Sequence, residues 1–162
     1  MAKEIERKFL IRDEAWKASA DGGTRIGQAF LSRDPQRTVR VRLAGVKAFL
    51  TIKGQAPKDA PLETPEFEYA IPQEDARHLL KMCLEGGISK TRYRVPQGQR
   101  AWEIDVFDGA NAGLIMAEIE LGSASEAFDR PKWLGEEVTD DPRYKNANLS
   151  EKPYSLWGKK TG

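Results

Sequence analysis

Six stretches of this chain repeat one pattern, in which charged residues of a single sign stand two positions apart. They are Glu4 and Glu6, Arg40 and Arg42, Glu66 and Glu68, Lys90 with Arg92 and Arg94, Glu103 and Asp105, and Glu118 and Glu120. A spacing of two puts side chains on one face of a β-strand. The intervening positions carry Ile5, Val41, Phe67 and Tyr69, Tyr93, Trp102 and Ile104, and Ala117 and Ile119. Each stretch therefore reads as a strand with one ionic and one apolar face. Lys8 adds a cation to the first strand, on the same face as its two carboxylates.

In a single strand, a solvated sheet face explains such alternation. Six strands argue for something else, because like charges placed side by side in water gain nothing and repel. About eight antiparallel strands can close into a barrel whose interior holds one small ligand. With the apolar faces outward under helices and covering segments, the charged faces would line the lumen. Burying so many ions is costly unless a ligand of matching charge meets them. Lys8, Arg40, Arg42, Lys53, Lys90, Arg92 and Arg94 would neutralise a compact polyanion, and a divalent cation would reconcile that anion with the carboxylates. Hard oxygen ligands without a His or Cys cluster point to Mg²⁺ or Mn²⁺. A polyphosphate chelated to such a cation fits both halves of the lumen.

The remaining sequence fits a mainly β (α+β) chain forming a single domain over residues 1–162. That length buries about two-thirds of the unfolded surface. Basic and acidic residues number 26 and 25, for a net charge of +1, which does not favour a nucleic-acid or membrane partner. The single cysteine, Cys83, and the lack of an apolar leader or a run of membrane-span length predict a cytoplasmic protein.

Strands are expected at residues 3–11, 26–32, 38–43, 49–53, 63–71, 88–95, 101–107 and 114–121, with a loop over 54–65 rich in proline. The faces of the 26–32 strand cannot be separated. Helices are expected at 13–20, at 73–85 ending on Gly86-Gly87, and shortly after Ser123, before residues 133–148 close the domain. His78 reads as a solvated helix residue and Cys83 as packing. The tail at 152–162 is either a free end or a cap on one mouth through Tyr154 and Trp157.

Glu4-x-Glu6-x-Lys8, Arg40-x-Arg42, Lys53, Glu66-x-Glu68, Lys90-Thr91-Arg92-Tyr93 and Glu118-x-Glu120, in that order, resemble the CYTH superfamily, the triphosphate tunnel metalloenzymes. Gly135-Glu136-Glu137-Val138-Thr139 and Arg143-Tyr144-Lys145-Asn146 resemble the C-terminal signature of its small bacterial members. The resemblance implies a closed antiparallel eight-stranded β-barrel, a tunnel with a charged lumen and flanking helices. It implies that Lys8, Arg40, Arg42, Lys53, Lys90 and Arg92, with Arg94 beside them, hold the phosphates. Glu4, Glu6 and Glu120, with Glu118 as a fourth, would bind Mg²⁺ or Mn²⁺. Lys90 would orient or activate water together with Glu4 and Glu6, while Glu66, Glu68, Glu103 and Asp105 support the basic side chains.

The family includes inorganic triphosphatases, thiamine triphosphatases and class IV adenylyl cyclases. No added segment here would form a base pocket, so hydrolysis of inorganic tripolyphosphate to pyrophosphate and phosphate is the expected reaction. The cyclase and thiamine triphosphatase readings stay open, as does a non-catalytic module binding polyphosphate or a nucleoside triphosphate. The carboxylates weigh against the last, since a pure anion binder gains nothing from them. The resemblance leaves room for a homodimer.

Overall fold

The computed structural model describes residues 2–158. The alternating stretches form β1 (Lys3–Ile11), β2 (Thr24–Ser32), β3 (Arg37–Ala44), β4 (Lys47–Gly54), β5 (Glu63–Ala70), β6 (Ile88–Gln97), β7 (Arg100–Phe107) and β8 (Ile115–Glu120). These eight close into an antiparallel ring in the order β5-β4-β3-β2-β6-β7-β8-β1, with β1 returning to β5. One short strand, β9 (Leu134–Glu137), adds to β1.

β1 fastens the barrel. Its first residues pair with β5, Glu4 opposite Thr64, while Glu6 and Lys8 lie opposite Glu120 and Glu118 of β8. The end of β1 pairs with β9, where Val138 N donates to Lys8 O at 2.8 Å. With β1 held in this way, the carboxylates of the first and eighth strands share one wall.

The apolar faces point outward and are covered. Trp102 is fully buried among Phe9, Phe128 and Trp133, with ring centroids at 5.6, 5.8 and 5.7 Å in edge-to-face contacts. Such pairs add roughly 0.5–1.5 kcal/mol each beyond simple burial. Around β3 and β4, helix α1 (Gln73–Lys81) seats Ala76 against Val41 and Ala48. The outer face of β5 is the exception. Phe67 and Tyr69, expected to be covered, are 41% and 55% exposed.

A third cluster lies inside. Continuing the charged faces by steps of two leads from Lys8 to Leu10, from Lys90 to Ile88, from Asp105 to Phe107 and from Glu118 to Met116. Tyr144 and Leu149 pack into the space that these four apolar residues leave. The C-terminal segment that brings them consists of a 3-10 turn (Pro142–Tyr144), helix α2 (Asn146–Glu151) and a second 3-10 turn (Tyr154–Leu156). Tyr154 and Trp157 pack on the same cluster. Of the two readings of the tail, residues 152–158 thus follow the cap, whereas 159–162 lie outside the described residues.

Two expected helices differ. The 73–85 helix ends at Lys81, because Leu84 N leaves the helical ladder to donate to Phe30 O of β2 at 2.8 Å. No helix forms between Ser123 and β9. There, Glu126 is drawn off by Arg100, by a contact from Nη2 at 2.6 Å, and by Gly122 N at 2.7 Å. The 13–20 stretch is a 3-10 helix (Ala15–Ser19) with Trp16 buried.

Candidate active site

The lumen holds a cavity of about 680 Å³. Its walls carry Glu4, Glu6 and Lys8 of β1, Arg40 and Arg42 of β3, Lys53 of β4, Glu66 and Glu68 of β5, Arg92 of β6, Glu103 of β7, and Glu118 and Glu120 of β8. The expected charged residues therefore converge, with three exceptions. The Arg94 side chain is 60% exposed and, among the described residues, reaches only Glu103, at 3.6 Å. Lys90 and Asp105 are fully buried, form an ion pair at 2.7 Å and are not part of the cavity wall.

Most of the charges already have partners. Lys53 Nζ lies 2.8 Å from Glu4 and 3.4 Å from Glu66, while Lys8 Nζ lies 3.4 Å from Glu118 and 3.6 Å from Glu6. Arg92 donates to Asp105 through Nε at 2.8 Å and Nη2 at 2.9 Å. Arg40 Nη2 donates to Thr51 Oγ1 at 3.2 Å, and that hydroxyl donates in turn to Glu68 at 2.9 Å. Glu66, Glu68, Glu103 and Asp105 thus stand beside the basic side chains they were expected to support.

The unmatched groups show what the site lacks. Among the described residues Arg42 forms no ion pair, and Arg40 Nε is buried without a hydrogen-bond partner. Glu118 Oε1 is also buried without one, its approach to Lys8 being too poorly aligned. Burial lowers the pKa of Arg40, and the pKa of Arg42 falls through burial and repulsion by Arg40 and Arg92. Burial raises the Glu4 carboxyl, with Glu66 adding to the rise and Lys53 opposing it. The Glu120 carboxyl rises through burial and the nearby Glu4 and Glu6. Arg42 and Glu120, which form no ion pair among the described residues, thus face the same cavity with opposite signs.

A divalent cation fits these residues. Seven basic and eight acidic side chains line the cavity, so a bare polyanion would gain no net attraction from the whole. A cation among Glu4, Glu6, Glu118 and Glu120 removes that opposition. The oxygen-only donor set suits a hard ion, and it includes Glu118 Oε1, which is buried without a hydrogen bond. Among the described residues, no three carboxylates are gathered closely enough to hold an ion without rearrangement, because Lys8 and Lys53 intervene.

Burial holds the Lys90 ammonium down to about 7, with Arg92 and Arg42 reinforcing the effect and Asp105 opposing it. Lys8 behaves oppositely. Burial alone would depress it, but Glu118, Glu6 and Glu4 outweigh that and raise it above the usual lysine range.

Sequence reading missed Gln28, Thr51 and Asn146 as site residues. Gln28 is 3% exposed and accepts from Arg42 Nε at 2.8 Å. The inward face of β2 runs Ile26, Gln28, Phe30, which carries no charge to mark it. Asn146 arrives on the C-terminal segment, where its only signal was its place in the Arg143-Tyr144-Lys145-Asn146 signature.

The chain matches the CYTH domain family over residues 2–154. It is 41% identical over 155 residues to an inorganic triphosphatase from Acetivibrio thermocellus, spanning 95% of this chain and 97% of that one. An inorganic triphosphatase from Nitrosomonas europaea is 33% identical over 160 residues, spanning 91% and 96%. A crystal structure of an inorganic triphosphatase superposes with a TM-score of 0.63 at 33% identity, covering 93% of this chain and 95% of that chain. A Pyrococcus horikoshii protein, 22% identical with a TM-score of 0.60 over 75% of this chain and 79% of its own, shares the fold. No helix among the described residues is long and apolar enough to cross a membrane.

Proposed function

Because the chain belongs to the CYTH domain family, we propose that it hydrolyses inorganic tripolyphosphate to pyrophosphate and phosphate inside its barrel, with a divalent cation bound. The observation that carries this reading is the pairing of orphans. The buried Arg40 Nε and Arg42, which has no ion pair among the described residues, call for an anion, and the buried Glu118 Oε1, without a hydrogen bond and met only by Lys8 at 3.4 Å, suits a cation in the same cavity. A metal-chelated polyphosphate supplies both. The names of the two relatives, at 41% and 33% identity over nearly the whole chain, support this substrate.

In this reading Lys8, Arg40, Arg42, Lys53 and Arg92 hold the phosphates in line and neutralise charge that builds on the phosphoryl oxygens. Glu4, Glu6, Glu118 and Glu120 would hold Mg²⁺ or Mn²⁺, which when bound would polarise the phosphate and position the attacking water. Glu66 and Glu68 keep Lys53 and Arg40 in place, and Glu103 and Asp105 do the same for Arg92. Lys90 contributes from behind the wall, and Arg94 extends the positive field at the edge. A cytoplasmic setting suits this activity.

The test is phosphate release from tripolyphosphate, ATP and thiamine triphosphate, each with Mg²⁺, Mn²⁺ or EDTA, while also assaying cyclic AMP. Metal-dependent release strongest on tripolyphosphate is the expected outcome. Release that persists in EDTA would overturn the proposal, as would preference for another triphosphate or cyclic AMP formed from ATP.

A further inference from the structure

Asn146 stands between Lys90 and the cavity. Its Oδ1 accepts from Lys90 Nζ at 3.1 Å and from Gln28 Nε2 at 3.1 Å, and the residue forms part of the cavity wall. The direction of this amide follows from chemistry. Arg42 has donors only, so the Gln28 oxygen must face Arg42 Nε, 2.8 Å away. That turns Gln28 Nε2 toward Asn146, and Asn146 must meet it with oxygen. The assignment holds whether Lys90 is charged or neutral. The Asn146 Nδ2 donors are left without a hydrogen-bond partner among the described residues.

Resting on the triphosphatase reading, we propose that Asn146 is a substrate-binding residue whose Nδ2 donates to the phosphoryl group seated against this end of the cavity, and that Lys90 acts on the substrate through it. A cation held at Oδ1 polarises the amide and strengthens its N–H donors. The groups that set this polarisation are Asp105, Arg92, Arg42 and Glu118 around Lys90, with the Phe107 ring 5.3 Å from its Nζ. Because Asn146 is neutral, it adds a donor without increasing repulsion among the arginines.

Two variants separate this role from simple support of Lys90. Asn146→Asp keeps the shape and an oxygen toward Lys90 and Gln28 but replaces the donors with an anionic oxygen. Asn146→Ala removes both ends. If Asn146 only braces Lys90, which is not part of the cavity wall, Asn146→Ala leaves tripolyphosphate binding unchanged and lowers only kcat. If it donates to substrate, kcat/KM on tripolyphosphate falls about 10- to 100-fold in Ala, the worth of a hydrogen bond to a charged group, and at least as far in Asp. Asn146→Asp within twofold of wild type would overturn the assignment. Should that variant fail to fold, Asn146→Ala decides by where the loss falls: at least tenfold weaker tripolyphosphate binding upholds the assignment, and a loss confined to kcat overturns it.

If the wild-type protein does not turn tripolyphosphate over, the triphosphatase reading fails separately. Calorimetric binding of tripolyphosphate in EDTA then decides the role of Asn146. At least tenfold weaker binding in a folded variant upholds it, and equal binding overturns it.

Discussion

Replacing Asp105 with asparagine removes the only negative charge in direct contact with Lys90 among the described residues, and it takes away one of the two carboxylates paired with Arg92. Asp105 is fully buried and accepts three close contacts, 2.7 Å from Lys90 and 2.8 and 2.9 Å from Arg92. Breaking a buried pair in this way costs about 3–5 kcal/mol, because the stranded cation stays out of water. For a chain of this size that corresponds to a fall in Tm of roughly 6–20 °C. The pH dependence gives a sharper test. Lys90 titrates at about 7 beside Asp105, and without that partner, burial and the neighbouring arginines push it lower. A lysine whose folded pKa lies below its unfolded value of about 10.4 leaves the folded state short of a proton between the two, so stability rises with pH across that window. In the wild type the window opens at about 7. In Asp105→Asn it opens lower. As pH falls below 7 the variant therefore keeps losing stability, by up to about 1.4 kcal/mol per pH unit, while the Lys90 contribution in the wild type levels off. Urea melts of both proteins at pH 6 and pH 8 should show the larger deficit at pH 6. Equal deficits at the two values, or a deficit below about 1 kcal/mol at both, would refute the buried counter-ion argument.

Two further substitutions test other parts of the molecule. Glu6→Gln should reduce metal-dependent phosphate release to background while Tm moves by less than about 3 °C, since its ion pair with Lys8 is long, at 3.6 Å; normal turnover by this variant would remove Glu6 from the metal-holding set. Gly86→Ala should destabilise by about 2–3 kcal/mol in thermal melts, because Gly86 has φ +92° and a Cβ there would stand 1.9 Å from Ser150 O of the C-terminal cap; an unchanged Tm would show that the cap can shift freely.

The barrel was legible because its strands are two-faced in an unusual way, with paired charges on one side and Ile5, Val41, Trp102 or Ile119 on the other. β2 resisted because its lumen side is Ile26, Gln28, Phe30, and no local pattern separates that from a buried core face. The early end of α1 comes from a tertiary hydrogen bond, Leu84 N to Phe30 O, which helical periodicity cannot register. The face that Lys90 occupies was readable, but its depth was not. Lys90 is sealed because Tyr144 and Leu149, distant in sequence, fill the lumen next to Ile88, Phe107 and Met116. Asn146 escaped notice for the same reason, since its meaning depends on where the C-terminal segment folds back.

The divided pairing of β1 also bears on how the protein is made. Glu6 and Lys8 are synthesised well before the strand that faces them, bearing Glu120 and Glu118, and β9 and the C-terminal cap come later still. Contacts so far apart in sequence form slowly, because a long loop must close before they reward the chain. During synthesis the part of the first strand from Glu6 onward therefore waits for its β8 partner while the other walls form. A chain cut short before β8 has neither a closed ring nor a complete set of acidic groups, so the same late event that finishes the fold also switches on its chemistry.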